Sequence, residues 1–275
     1  MIKVNGQEVP FFTFPGGEVS VNIKDIKILS PPEMPIFVRS DIYTSDDIMK
    51  LVMTISALRE GGWSDRNISL HIPYFPYARQ DRICSEGEGF GLKAMCEIIN
   101  SLGCEEVIVS DPHSKIIRKY LKNISVIHKS HYLQNLLEWD YIMRGLYFIV
   151  SPDAGAAENI KEFSGKFNGL KIFSATKVRN KETGAIEQSI FDGDVKGLNL
   201  IIVDDICDGG DTFINLSKIL KQKGANKLIL YVTHGIFSKG VEHVAAHFDK
   251  IECQFFFPGK QQEYDEYENK RAACN

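Results

Sequence analysis

Two hydrophobic rhythms take turns along the chain. Short stretches alternate apolar and polar positions or run apolar for a few residues. Between them lie longer stretches in which apolar residues return every three or four positions. "EVSVNI" (18–23) and "MPIFVRS" (34–40) read as strands. "TSDDIMKLVMTISALREGG" (44–62) carries Ile48, Leu51, Val52, Ile55 and Leu58 at helical spacing, with Thr44, Ser45 and Asp46 as candidate caps and Gly61-Gly62 as a stop. "ISLHIPY" (68–74) predicts the next strand. Leu92, Met95, Cys96 and Ile99 mark one face of a helix ending near Gly103, and "EEVIVSD" (105–111) returns to strand. After "LYFIVSPDAG" (146–155) comes a short helix, then the strand "LKIFSAT" (170–176). Then follow the strand "LNLIIVDD" (198–205), a helix over 211–223 and the strand "KLILYVTHG" (227–235). Strands and helices in this alternation predict α/β layers around parallel sheets. The last stretch, "FFFPGKQQEYDEYENKRAACN" (255–275), shows no clear apolar period and reads as an exposed tail.

The chain also echoes itself. "FVRSDIYTSDDIMKLVMTISALREGG" aligns almost without gaps with "IIVDDICDGGDTFINLSKILKQKGA". Each runs strand, acidic turn, helix, glycine, so either two βαβ units resemble one another by common geometry or the chain holds two related domains. The second reading divides it into residues 1–140 and 141–275, with a join near 138–146 and no Pro- or Ser-rich linker.

Composition narrows the class of partner. At 275 residues and 44% hydrophobic content the chain can bury a substantial core. Its 32 basic and 36 acidic residues leave a net charge of −4. That balance disfavours nucleic acid and anionic membranes as partners. The six cysteines include no C-x-x-C pair, which suits reduced thiols. No segment approaches the ~18 apolar residues of a membrane span. A soluble cytoplasmic protein is expected.

Candidate chemistry gathers where predicted strands end. In "IIVDDICDGGDTF" (201–213), Asp204 and Asp205 close an apolar run, and a carboxylate pair there can accept hydrogen bonds from vicinal hydroxyls. Asp208, Gly209, Gly210, Asp211 and Thr212 then lead into a helix, whose amino terminus favours an anion. A plain acidic helix cap would use the same residues. "HIPYFPYARQDR" (71–82) combines aromatic rings, suited to a flat base, with Arg79 and Arg82, suited to phosphate oxygens. His113 in "SDPHS" and Asp153 in "SPDAG" also stand at strand ends, as suits the one or two protein ligands of a nucleotide-bound Mg²⁺. Lys177 and Arg179 project to one side at strand spacing, from the base of a polar, glycine-bearing run.

Read in order, these motifs resemble the ribose-phosphate pyrophosphokinases over residues 11 to 238 or so. "PYFPYARQDR" is nearly that family's ATP-site motif. "FPGGE" is similar to its adenine-contacting hairpin, "VSDPHS" to its metal-histidine motif and "VSPDAG" to its strand-end aspartate. "TKVR" is similar to its catalytic segment and "VDDICDGGDT" to its ribose-phosphate loop. The resemblance implies an α/β fold of two phosphoribosyltransferase-like domains, each a mainly parallel sheet flanked by helices. It also implies an enzyme that moves the β,γ-diphosphate of ATP, with Mg²⁺, onto the C1 hydroxyl of ribose 5-phosphate. On that reading Lys177 and Arg179 are catalytic. Phe14, Glu18, Arg79, Gln80 and His113 bind ATP, and His113 and Asp153 hold the metal. Asp204, Asp205, Asp208, Gly209, Gly210, Asp211 and Thr212 bind ribose and its phosphate. A homo-oligomer, dimer or higher, is implied, with Phe14 and Glu18 reaching a neighbouring subunit.

Four departures matter. Asp211 stands where the family has glycine, and a carboxylate ~5 Å from a phosphate charge costs about 3 kcal/mol at an effective dielectric of about 20. Either Asp211 points outward and caps the helix, or the acceptor is a 5′-substituted ribose such as ADP-ribose, whose phosphate carries a single charge. Gly16 replaces the family's Asp or Asn, which removes one expected base contact. Ser85, Glu86, Gly87 and Glu88 replace basic residues, so allosteric phosphate control through them is not expected. Both ends read as short, without the family's first strand–helix unit and terminal helix. Two further readings stay in view: a catalytically silent regulatory relative, and a phosphoribosyltransferase that consumes the activated sugar. Retained Lys177, Arg179, His113 and Asp153 count against the first, and the ATP-type motif at 73–82 against the second.

Overall fold

The computed structural model describes residues 1–24, 26, 35–61, 68–136, 138–153, 156–157, 160, 172–179 and 186–273, with side chains except at 177–179 and 186–190. Met34, Gly62, residues 154–155 and 170–171, and the polar run 180–185 belong to expected elements but lie outside the described residues. The chain divides into two units, Met1–His128 and Lys129–Asn275.

The first unit contains β1 (Ile2–Val4), β2 (Gln7–Glu8), β3 (Phe11–Thr13), β4 (Val19–Val21), β5 (Ile36–Ser40), α1 (Ser45–Glu60), β6 (Ile68–Ile72), α2 (Gly91–Ser101), β7 (Glu106–Ser110), α3 (Ile117–Tyr120) and β8 (Ile124–Ile127). Its six-stranded sheet has the order β2-β1-β5-β6-β7-β8. β5 to β8 run parallel, and β1 runs antiparallel to β5. Alternate residues Ile36, Val38, Ile68, Leu70, Val107 and Val109 face the apolar stripe of α1 and α2, which buries Leu51, Ile55, Leu58, Leu92, Met95, Cys96 and Ile99. Thr44 is the cap of α1. Its Oγ1 accepts the Asp47 N–H at 3.3 Å, and Asp47 Oδ2 accepts the Thr44 N–H at 2.9 Å. Such a reciprocal cap is worth about 1 kcal/mol.

The second unit contains α4 (Lys129–Leu133), α5 (Trp139–Met143), β9 (Tyr147–Ser151), β10 (Ile172–Ser174), β11 (Thr176–Arg179), β12 (Ile186–Ile190), β13 (Asn199–Cys207), α6 (Asp211–Gln222), β14 (Lys227–Gly235), α7 (Val241–Ala245), β15 (Lys250–Phe256) and α8 (Lys260–Ala273). Its five-stranded sheet, in the order β10-β9-β13-β14-β15, is parallel throughout. β11 and β12 form a separate antiparallel hairpin, with a register break beside Val178 and Arg179. Leu200, Ile202, Leu228, Leu230 and Val232 build the second core with Phe213, Leu216 and Leu220 of α6. The internal echo has a structural counterpart: β5–α1–β6 and β13–α6–β14 are both βαβ units whose strands lie side by side.

The carboxyl-terminal tail is a correction: residues 260–273 form the helix α8. Its packing rests on tyrosines rather than aliphatic residues. Tyr264 stacks on Phe256 with ring centroids 5.9 Å apart, and its hydroxyl accepts the Ile251 N–H at 3.0 Å. Pairs one turn apart, Gln261–Asp265 and Gln262–Glu266, support the polar face. β8 and β15 are strands without a sequence-level expectation. β13 runs past Asp205 to Cys207 because its ladder with β14 continues to Gly235. The five described cysteines form no disulfide. Burial pushes Cys96 up to about 11, and Cys207 and Cys253 higher still, so these thiols stay protonated and unreactive. Among the described residues no helix is long and apolar enough to cross a membrane.

Candidate active site

The chain leaves β9 toward one edge of the second sheet and β13 toward the other. The crevice beyond their carboxyl ends is therefore a topological switch point, where open parallel sheets bind ligands. The ladder between the two strands runs from Asn199–Tyr147 to Ile202–Val150, so the Asp204–Asp205 pair and Asp153 follow it at the same end of two adjacent strands. Asp153 is held in place locally: its Oδ1 accepts the Ala156 N–H at 2.9 Å, and its carbonyl accepts the Ser151 hydroxyl at 2.7 Å. β10 ends at Ser174 beside Ser151, so β11, carrying Lys177 and Arg179, begins at the same end of the sheet. The side chains of Lys177 and Arg179 lie outside the described residues.

Asp204 and Asp205 form a close pair, with the Asp205 N–H donating to Asp204 Oδ1 at 2.9 Å. Desolvation, and then the neighbouring Asp205 charge, hold the Asp204 carboxyl well above the usual carboxylate range. The ammonium of buried Lys129, at the start of α4, pulls the other way. The folded chain thus keeps this proton at pH values where the unfolded chain has released it. Stability falls as pH rises from the ordinary aspartate value, about 3.9, through the raised one. Asp204→Asn should therefore be more stable than the parent at neutral pH, and the difference should vanish toward about pH 4. Urea denaturation at both pH values checks this. A less stable variant at neutral pH would mean that attraction to Lys129 outweighs the burial of the charge.

Past β13, Gly210 occupies the cap of α6 in the left-handed region at φ 84°, and a Cβ there would lie 2.3 Å from Val244 Cγ2. No described side chain caps this helix. Its first-turn amides, with half-buried Thr212, face the approach to the loop and suit an anion. Asp211 does point outward, but it is the first helical residue, not the cap. Its Oδ2 lies 2.6 Å from Lys239 Nζ and its Oδ1 lies 3.7 Å from His243 Nε2. The hydrogen bond from Lys239 holds this carboxyl below the usual range. At such an exposed position the effective dielectric nears that of water, and repulsion of a phosphate charge ~5 Å away shrinks to ~0.8 kcal/mol.

In the first unit the expected nucleotide residues also follow strand ends. After β6, buried Phe75 and Ala78 anchor the segment that exposes Arg79 and Gln80. The Gln80 carbonyl accepts the Leu92 N–H at 3.1 Å, at the start of α2. After β7, Asp111 is buried and exposed His113 follows it. Tyr77 (φ 59°) and Asp111 (φ 43°) both hold the left-handed backbone that non-glycine residues adopt at a cost, a feature concentrated at functional sites. β3 and β4 form a hairpin closed by the Phe14 N–H on the Glu18 carbonyl at 2.8 Å. The Phe14 ring is exposed and packs edge-on against Phe12. In the segment 84–88, Glu88 accepts the Cys84 and Ser85 N–H groups at 2.7 and 3.0 Å, a turn that takes the place of basic side chains.

Hard oxygen donors at the ends of adjacent strands suit Mg²⁺, which takes one or two carboxylates and shares its remaining positions with water and substrate phosphate. Among the described residues no three His, Cys, Asp or Glu side chains converge as a metal cage, which is compatible with that shared mode. Two residues of this site escape the sequence reading. Lys239 carries only a faint signal, a lysine–glycine pair shortly after the strand 227–235, and nothing local marks Lys129.

The family model described as the N-terminal domain of ribose phosphate pyrophosphokinase matches residues 2–103, and that of the phosphoribosyl synthetase-associated domain matches residues 175–252. The ribose-phosphate pyrophosphokinase of Pyrococcus furiosus is 32% identical over 86% of this chain and 82% of its own length. That of Thermococcus kodakarensis is 30% identical over 89% and 84%. The crystal structure of phosphoribosylpyrophosphate synthetase from Mycobacterium smegmatis superposes with a TM-score of 0.73 at 19% identity, over 95% of this chain and 91% of that one, and so shares the fold.

Proposed function

The chain belongs to the ribose-phosphate pyrophosphokinase family, and on that premise we propose that it transfers the β,γ-diphosphate of ATP to the C1 hydroxyl of ribose 5-phosphate, releasing AMP. The observation that carries this reading is the β9/β13 switch point, where a carboxylate pair is followed by an uncapped helix start. A sugar diol and a phosphate present themselves in that order along ribose 5-phosphate. Asp204 and Asp205 accept hydrogen bonds from the vicinal hydroxyls. The amides of residues 209–212 and the Thr212 hydroxyl hold the 5-phosphate. This fixes the C1 oxygen for in-line attack on the β-phosphorus: the O1–Pβ bond forms, the bond from Pβ to the AMP oxygen breaks, and the hydroxyl proton is released. Lys177 and Arg179 stabilise charge on the phosphoryl oxygens as it moves. Phe14, Glu18, Arg79, Gln80 and His113 bind ATP. His113 and Asp153 would each ligate Mg²⁺, which when bound neutralises phosphate oxygens. Phe14 and Glu18 act from a neighbouring subunit of a homo-oligomer.

One observation favours a second acceptor, ADP-ribose. A cleft of about 440 Å³ adjoins Lys239 and is lined by His243, Tyr267 and Lys270 together with Glu242, Glu263 and Glu266. It offers room beside the loop and an aromatic ring suited to a base, while its three carboxylates, which hydrogen-bond hydroxyls, repel a second phosphate. AMP formation from ATP with each acceptor distinguishes the two. Ribose 5-phosphate should be the better substrate, and Asp211→Gly should raise its kcat/KM by about fourfold through lost repulsion. No AMP from either acceptor would favour a silent, nucleotide-binding relative. Preference for ADP-ribose would assign the cleft to its second half.

A further inference from the structure

The geometry points to Lys239 as a specificity-determining residue that lets the loop 208–212 take a terminal phosphate despite Asp211. The side chain is delivered to this place by its surroundings. Phe237, wholly buried at φ 46°, turns the chain after β14. The next residues are tied down on both sides of Lys239: the Ser238 N–H donates to the Asp208 carbonyl at 3.2 Å, and the Gly240 N–H to the Phe237 carbonyl at 2.9 Å. From that turn the lysine stem lies across Gly209, with Cε 3.3 Å from the point a Cβ on that glycine would occupy. Its ammonium ends 2.6 Å from Asp211 Oδ2. A lysine that only balanced Asp211 could stand anywhere around an exposed carboxylate. This one runs over the glycine whose amide leads into the helix, so its charge serves the loop as well as the aspartate.

The loop therefore carries a compensated pair where a lone aspartate would repel a dianion. A bound terminal phosphate meets the helix amides, Asp211 on one flank and an ammonium within reach on the other. Because the lysine is flexible and half-exposed, it can shift from the carboxylate to the phosphate without moving the backbone. The acceptor end favoured by this arrangement is a free monoester with up to two charges.

This inference rests on ribose 5-phosphate binding in the second unit, as proposed above, and its test is binding rather than turnover. The dissociation constant for ribose 5-phosphate is measured by calorimetry without ATP, and KM and kcat are measured at saturating ATP. Lys239→Met should weaken ribose 5-phosphate binding and raise its KM about tenfold, while kcat and the KM for ATP stay unchanged within error. Lys239→Arg should retain affinity. The double variant Asp211→Gly/Lys239→Met should return near the parent value, which also shows that the loop still folds. An unchanged dissociation constant in Lys239→Met, with an active parent enzyme, would overturn this inference alone. If Lys239→Met loses affinity but the parent releases no AMP, the inference stands and the proposed reaction fails. A parent protein that does not bind ribose 5-phosphate at all would overturn both.

Discussion

Lys177→Ala should slow AMP release from ATP about 10²–10³-fold at saturating substrates, with thermal unfolding unchanged. The physical reason lies in the charge that moves. As the β-phosphorus passes from the AMP oxygen to the C1 oxygen of the sugar, negative charge builds on its equatorial oxygens, and the protein's main task is to meet it. Lys177 stands on β11, which starts beside the carboxyl end of the strand that presents Asp153. β11 is paired along its length with β12, so its backbone is held by a ladder rather than left to a free loop. An interaction made only in the transition state lowers kcat and kcat/KM together and leaves substrate binding in place. Arg179→Ala should behave alike, and the double variant should lose less than the product of the two, because the cations serve one group. Rapid-quench measurement of AMP separates chemistry from product release. A kcat unchanged in both single variants would remove these residues from the reaction.

Gly210→Ala should destabilise the protein by about 2–5 kcal/mol and abolish tight acceptor binding. Two separate costs add. A left-handed backbone, here φ 84°, costs a residue with a Cβ about 1–2 kcal/mol. The new methyl would also lie 2.3 Å from Val244 Cγ2 on α7, and overpacking of that kind costs about 1–3 kcal/mol. Relief of either contribution would tilt α6, whose first-turn amides hold the acceptor's phosphate in the proposed reaction. The contributions separate experimentally. Val244→Ala in the same chain should recover the steric part but not the backbone part. Gly209→Ala meets the flexible Lys239 stem at 3.3 Å and Asp211 Oδ2 at an ordinary 3.8 Å, and should cost less. Urea midpoints of the three variants check the order. A Gly210→Ala midpoint equal to the parent's would show that the loop does not pack on α7 as described.

The conflict posed by Asp211 shows how far a residue's meaning depends on its neighbours. From the sequence it is an acidic intrusion into a phosphate loop, with a penalty of about 3 kcal/mol at an intermediate dielectric. In the fold the carboxylate is exposed and paired with Lys239, so its charge is compensated beside the loop. The distance in sequence, from 211 to 239, spans a helix and a strand, and no local pattern connects them.

The periodic part of this protein is legible along the chain. The apolar run ending at Asp204, the glycine pair, the amphipathic helix over 211–222 and the strand at 227–235 are written in spacing that sterics and water enforce within a few residues. The order of motifs likewise identified the family. Packing between distant segments settled the rest: the chain turns opposite ways after β9 and β13, so that Asp153 and the Asp204–Asp205 pair follow the same end of two adjacent strands, and Lys239 crosses Gly209. It also docks a helix with no Val, Leu, Ile or Met at 260–273 through Tyr264 and Tyr267. Local structure follows a period that each segment carries within itself. Strand order, ion pairs across crossovers and the docking of a tyrosine face depend on partners many residues away, whose contribution exists only once the sheet has closed them together.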